Sequence, residues 1–197
     1  MNGADDVAVG RLVEAAKAGD ADAFGLLFDL FHEPVYRYIA SRVRRPSDAE
    51  DLAQTVFVKA LEALPRYEAR GVPFGSWLFR LARNTVIDHM RTQREHVDLD
   101  ALVERASQDP DPEARAVARQ DIEAVGVALA ELTEEQHDAV ALRFFAGLSA
   151  REAAEAMGKR EGTVRGLQFR AIAALRRTLG LDTATGAPTG DNEDRER

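Results

Sequence analysis

The sequence predicts an all-α protein built as two small helical domains joined by a flexible acidic linker. Three observations predict it. Apolar residues recur at intervals of three and four along most of the chain, without the sustained alternation that a half-buried strand needs. Helix start and stop signals punctuate these periodic stretches. The periodicity lapses once in the interior, over residues 95–111, where Asp, Gln, Ser and Pro accumulate. The expected division is a first domain over 1–94, a linker over 95–111, a second domain over 112–180 and a disordered tail over 181–197.

Each element has its own justification. Asp20 can cap a helix that carries Phe24, Leu27, Phe28, Phe31, Val35, Tyr38 and Ile39 on one side, with Pro34 inside it as a source of a kink. Ser47 and Glu50 have the spacing of a capping box opening a second helix, which shows Leu52, Val56, Ala60 and Leu64 to the core and is closed by Pro65. A third long helix starts near Phe74 and runs through Trp77, Leu78, Leu81, Val86 and Met90. Beyond the linker, Asp111-Pro112-Glu113 reads as an N-cap followed by Pro at the first helical position. Two further capping boxes follow, Thr133 with Gln136 and Ser149 with Glu152, and Gly147 and Gly158 stand just past helix ends. The second domain is thus four helices with short connections. From Thr183 onward the chain is Thr, Gly, Pro, Asp and Glu with almost no apolar residue, which gives no core to fold around.

At 197 residues with 45% hydrophobic composition the chain can bury a core, and its apolar runs are too short to cross a bilayer, so no membrane insertion is expected. Met1 is followed by Asn, Gly, Ala and two Asp, which is no secretory signal. There is no cysteine, which excludes disulfides and thiolate metal sites and fits a cytoplasmic location. The net charge of −8 is unpromising for a nucleic-acid binder, but its distribution matters more than its sum. Six Arg stand against Glu68 and Asp88 between Arg66 and Arg94, and six Lys or Arg stand against Glu161 between Lys159 and Arg177. Asp98 to Glu135 holds eleven acids and three Arg. Two basic islands are separated by an acidic spacer.

The second island lies on a helix-turn-helix pattern: a short helix over Ala150 to Met157, a turn at Gly158 and a second helix from about Glu161. Such motifs place the first part of their second helix in the major groove. Here that part offers Thr163, Arg165, Gln168 and Arg170, while Val164, Leu167, Ala171 and Leu175 remain for packing. Arg suits guanine edges or phosphates, Gln suits adenine, and Thr suits phosphates. In the first island Tyr67, Phe74, Trp77 and Phe79 interleave with Arg66, Arg70, Arg80 and Arg83, and Asn84, Asp88, His89 and Arg91 follow. Aromatics beside cations can stack on unpaired bases; at this helical spacing they can equally be core.

These residues resemble a known family. The run from Asp48-Ala49-Glu50-Asp51-Leu52 through Gln54 to Phe57, followed by Phe74-Gly75-Ser76-Trp77-Leu78-Phe79-Arg80 through Asn84, is similar to conserved region two of extracytoplasmic-function sigma factors of bacterial RNA polymerase. Leu148-Ser149-Ala150-Arg151-Glu152-Ala153-Ala154, followed by Glu161-Gly162-Thr163-Val164-Arg165, resembles their region four. The resemblance covers about residues 20–95 and 115–178, in the family's order.

It implies a factor that directs core polymerase to promoters. Asp48, Glu50, Asp51, Gln54 and Phe57 correspond to the helix that docks on the clamp helices of the β′ subunit, and the β subunit is a further implied contact. Arg66, Tyr67, Phe74, Trp77, Arg80, Arg83, Asn84 and His89 correspond to the part that opens the −10 element and holds an extruded base, which has to be paid for by a preformed pocket. Thr163, Arg165, Gln168 and Arg170 fall on the helix that reads the −35 element. The acidic linker corresponds to the segment near the RNA exit path. An anti-sigma factor is the other implied partner. The chain departs from the pattern after Arg165, where many members continue with Ser, Arg and Leu but Gly166, Leu167 and Gln168 stand here, so the faces of the recognition helix are redistributed.

No catalytic constellation, metal site or cofactor is expected: His32, His89, His96 and His137 are scattered, and no Gly-rich phosphate loop occurs. Two other function classes fit parts of the pattern. One is a helix-turn-helix regulator that binds an operator without polymerase, and the other is an adaptor that binds polymerase or an anti-sigma protein but not DNA.

Overall fold

The computed structural model describes residues 3–69, 71–97 and 124–181, with side chains placed from Val7 onward and not for 94–97. All regular structure among these residues is helical. In the first unit, α1 (Gly3–Lys17), α2 (Ala21–Ala40), α3 (Pro46–Ala63) and α4 (Phe74–Val97) pack in succession, with α2 also against α4. A single 3-10 turn, Leu64–Arg66, ends α3. The second unit holds a helical stretch over 124–130 (α5), then α6 (Glu134–Val140), α7 (Ala150–Met157) and α8 (Glu161–Thr178).

Local chemistry explains most boundaries. The Asp20 carboxylate accepts from the backbone N–H groups of Asp22 and Ala23, both at 3.0 Å, which satisfies two of the donors that a helix start leaves free. Thr133 with Gln136 and Ser149 with Glu152 form reciprocal capping boxes. Gly158 takes the left-handed conformation at φ 64°, ψ 35°, and Gly147 also has positive φ. Between α6 and Gly147, Ala141–Phe145 widens into a π turn in which the Ala146 N–H donates to the Ala141 carbonyl.

Two expectations are corrected. Ser47 does not cap α3: Pro46 is its first residue and Arg45 its cap, without a side-chain hydrogen bond. Pro at the first position already fixes a helical φ and lacks the N–H that a cap would serve, so Ser47 falls inside the helix. Helix α4 continues through Val97. Helix α1 was not expected. Its buried stripe is only Val9 and Val13 amid Ala, Gly and acids, too thin to register as a period; it forms because α2 and α4 offer it a surface. Pro34 does not interrupt α2. The rest of the linker, the cap at Asp111-Pro112-Glu113 and the tail after Leu181 lie outside the described residues.

The core of the first unit comes largely from the predicted stripes, Leu27, Phe31, Val35, Tyr38 and Ile39 of α2, Val56 and Ala60 of α3, and Leu78 and Val86 of α4, joined by Phe79 and Ala82 of α4, which the predicted stripe did not include. Each such fully buried large side chain contributes about 1.5–3 kcal/mol relative to exposure. This core does not stop at the first unit. Helix α7, buried through Ala150, Ala153, Ala154, Ala156 and Met157, lies between α4 and α8, and the π turn rests on α2, so the two units share one apolar cluster.

Candidate nucleic-acid interface

Helix α8 turns Val164, Leu167 and Ala171 inward and leaves Thr163, Arg165, Phe169 and Arg170 exposed. Arg165 is held by Glu161 one turn earlier, through Nε at 2.9 Å and Nη2 at 2.6 Å. The Arg170 guanidinium lies over Gly166, 3.4 Å from where a Cβ would stand. Gln168 is half-buried and already occupied, its Oε1 accepting from Arg143 Nε at 3.2 Å while Arg143 also donates to the Leu148 carbonyl. Leu167 thus packs inward beside Val164 and Ala171, and Gln168 is turned toward the protein.

In the first unit, Tyr67, Phe74 and Trp77 do form an aromatic cluster, with centroids 4.8–5.7 Å apart. It is mostly interior. Phe74 also meets Phe31 edge-on, and the Tyr67 hydroxyl donates to the Val72 carbonyl at 3.0 Å. Burial, with a smaller contribution from Glu14, pushes the Tyr67 phenol up from its ordinary pKa. Only Trp77 is half-open to solvent. Beside this cluster, Val9, Val13, Glu14, Val72 and Gly71 complete a cleft of about 390 Å³. Arg66 and Asn84 are exposed, and His89 Nε2 stands 3.7 Å from Asp48.

On α3 the exposed face presents Glu50, Asp51, Gln54 and Thr55. Asp48 is half-buried and accepts from Gln93. Phe57 turns into the core against Phe28, with ring centroids at 4.7 Å. Val58 and Leu61, on the same helix beside Gln54, are both more than half exposed.

Two family models match this architecture, sigma-70 region 2 over residues 27–96 and sigma-70 region 4 over residues 128–177. The chain is 40% identical to the ECF RNA polymerase sigma factor BldN of Streptomyces coelicolor, over 90% of this chain and 68% of that one. It is 38% identical to the ECF sigma factor ShbA of Streptomyces griseus, over 89% of this chain and 97% of that one. The chain belongs to the extracytoplasmic-function family of RNA polymerase sigma factors.

Solved structures agree. CnrH in complex with the cytosolic domain of CnrY has a TM-score of 0.68 at 27% identity, covering 87% of this chain and 97% of that one. The sigma factor RpoE of Bartonella quintana, in complex with the anti-sigma factor NepR, has a TM-score of 0.65 at 27% identity, covering 81% and 98%. As a sigma factor, this chain directs promoter-specific initiation by binding core polymerase and recognising −10 and −35 elements. Among its described residues no helix is long and apolar enough to cross a membrane, and no three His, Asp or Glu side chains are placed to hold a metal ion.

The sigma factor places two expected −10 residues against its own second unit. Arg83 Nε donates to Asp138 Oδ2 at 2.7 Å, and Arg80 Nη2 donates to the Glu155 carbonyl at 2.7 Å. Asp138 is 1% exposed and also accepts from the Tyr38 hydroxyl at 3.0 Å, with Arg42 Nε 3.5 Å away. Burial first, and Asp138 next, push the Tyr38 phenol well up. Neighbouring His137 is pushed down to about 4 by burial and by Arg42, against smaller opposing effects of Asp138 and a hydrogen bond to the Ser41 backbone.

Sequence reasoning missed Phe169, Val58 and Asp138. The first two were visible as apolar residues lying off their helices' packing stripes. Asp138 had only its place in an otherwise apolar stretch, Ala139 to Leu142, to mark it.

Proposed function

We propose that α8 reads the −35 element through Arg165 and Arg170, with Thr163 on phosphate and Phe169 against an apolar edge such as a thymine methyl, and with Gln168 as a support rather than a reader. The observation that carries this reading is the exposed face of α8, 76% exposed at Phe169, set behind a capped helix and a left-handed Gly158 turn. Releasing Arg165 from an exposed i,i+4 ion pair costs only about 0.3–0.5 kcal/mol, so the pair poises the guanidinium without sequestering it.

On this reading Glu50, Asp51 and Gln54 of α3, flanked by Val58 and Leu61, dock on the β′ clamp helices, with Phe57 and Asp48 holding the helix in place. Arg66, Trp77, Arg80, Arg83, Asn84 and His89 serve the −10 strand, while Tyr67 and Phe74 build the wall beside which Trp77 sits. Residues 1–94 and 112–180 act as the two promoter-binding domains on either side of the 95–111 linker. The protein works in the cytoplasm, performs no catalytic step of its own, and takes an anti-sigma factor as its regulator, in keeping with the complexes formed by its structural relatives.

Run-off transcription with core polymerase from the source organism, on a genomic fragment library, tests the reading. Discrete start sites that require the protein, and that weaken with Arg165→Ala, are the expected result. Duplex binding without any core-dependent start would overturn it in favour of an independent regulator.

A further inference from the structure

One buried charge beside Asp138 is left over. The Asp138 carboxylate accepts from Arg83 Nε at 2.7 Å on one oxygen and from the Tyr38 hydroxyl at 3.0 Å on the other, with Arg42 Nε 3.5 Å away. Two guanidinium groups thus share one carboxylate, and the more distant is the more deeply buried: the Arg42 side chain is 3% exposed, against 21% for Arg83. Arg42 Nε has no hydrogen-bond partner among the described residues, and its Nη2 donates to the Met90 sulfur, a weak acceptor, at 3.9 Å. A guanidinium removed from water with its donors idle is costly, and such a group calls for an acceptor.

Arg42 lines a cavity of about 1000 Å³, a volume that takes a small organic molecule. Met90, Leu129, Leu132 and Phe145 give it apolar walls, and Arg37 and Arg44 stand with Arg42 against Glu134 on the same lining. Arg37 is already paired with Glu33 at 2.7 Å. A second lining atom, His137 Nε2, is also without a hydrogen-bond partner among the described residues. The hydrogen bond of this ring to the Ser41 backbone favours its protonated form, and so is a donation to the Ser41 carbonyl. With Nε2 unpartnered the donor is Nδ1, and the neutral imidazole keeps a lone pair on Nε2. An idle donor and an idle acceptor therefore share a space whose other walls are largely apolar.

We propose that this cavity binds a small amphipathic hydroxycarboxylate: the carboxylate accepts from Arg42, the hydroxyl donates to His137 Nε2, and an aliphatic body covers Met90, Leu129, Leu132 and Phe145. A carboxylate at Arg42 neutralises the cation that Asp138 leaves over, through a charge-assisted hydrogen bond. An apolar body displaces water from walls that give water no partners. The site lies apart from the exposed faces of α3 and α8 and is independent of the roles proposed for them.

Isothermal titration of the full-length chain at pH 7.5 with 2-hydroxyoctanoate, octanoate and 1-octanol reads the two head contacts separately. 2-Hydroxyoctanoate should fill one saturable site, octanoate should bind about fivefold more weakly for want of one hydrogen bond, and 1-octanol roughly tenfold more weakly again for want of the charge. At about 100 times its dissociation constant, 2-hydroxyoctanoate should raise the thermal midpoint by roughly 5–10 °C. Arg42→Met keeps an apolar stem without the cation and should erase the preference for octanoate over 1-octanol. Ala40→Trp fills the cavity from an exposed lining position on α2; it should weaken all three compounds at least tenfold, and it carries the test if Arg42→Met does not fold. Absence of saturable binding, or equal affinity of the parent for octanoate and 1-octanol, overturns the site. A hydroxyl that adds nothing to affinity overturns the His137 contact. Unchanged binding in a folded Ala40→Trp variant puts the compounds elsewhere and overturns the cavity assignment.

Discussion

Acid should weaken this protein through His137, by an amount that the structure sets. The imidazole is half-buried between the units, its Nε2 has no hydrogen-bond partner among the described residues, and burial with Arg42 beside it holds its pKa at about 4, against 6.5 for an ordinary histidine. On acidification the unfolded chain therefore takes the proton first, and stability falls from pH 6.5 down to about 4, below which this contribution is fully lost. The full difference corresponds to about 3 kcal/mol at roughly 1.4 kcal/mol per pH unit. Solvent at the open edge of the ring screens part of it, so a loss of about 1–2 kcal/mol at pH 5 is expected. Urea denaturation at pH 7.5 and pH 5.0 measures it directly. His137→Gln keeps a neutral polar side chain that does not titrate, so the variant should lose about 1–2 kcal/mol less than the parent between the two pH values. Other titrating groups are common to both proteins and cancel. Parallel losses in parent and variant would refute the reasoning and place the acid sensitivity elsewhere.

Three further outcomes follow from the same geometry. Arg165→Ala and Phe169→Ala, both on exposed positions of α8, should change stability by less than about 0.5 kcal/mol, yet each should weaken binding to −35 duplex by about 1–3 kcal/mol, read by titration at fixed salt. Trp77→Ala removes a half-buried ring from the Tyr67–Phe74 cluster and should cost about 2–3 kcal/mol, less than a fully buried aromatic, which a thermal melt would show as a midpoint lower by roughly 4–12 °C; an unchanged melt with defective promoter opening would assign Trp77 to the DNA instead. Gly158→Ala, at φ 64°, should cost about 1–2 kcal/mol because a Cβ strains the left-handed turn, and unaltered stability would mean that the turn relaxes to another form.

Helix positions and the helix-turn-helix were legible because their causes are local. Capping residues act within three positions, glycine is favoured at a left-handed turn wherever it occurs, and the 3.6-residue period of α2, α4 and α8 depends on one chain segment at a time. The motifs at Asp48–Phe57, Phe74–Asn84 and Glu161–Arg165 were legible for the same reason, and with them the family. What sequence could not decide was the direction of each side chain once helices met. Phe57, Phe74 and Gln168 carry the right chemistry for contacts with partners, but neighbouring helices claim them, whereas Val58 and Phe169 stay outside. The sharpest case is the Asp138 site. Nothing local links that carboxylate to Tyr38, Arg42 and Arg83, which stand 55 to 100 positions away. By itself the sequence determined an all-α sigma factor with two basic islands; only the tertiary structure decided that one island faces the other unit, because burying charge is favourable only where distant partners converge on it.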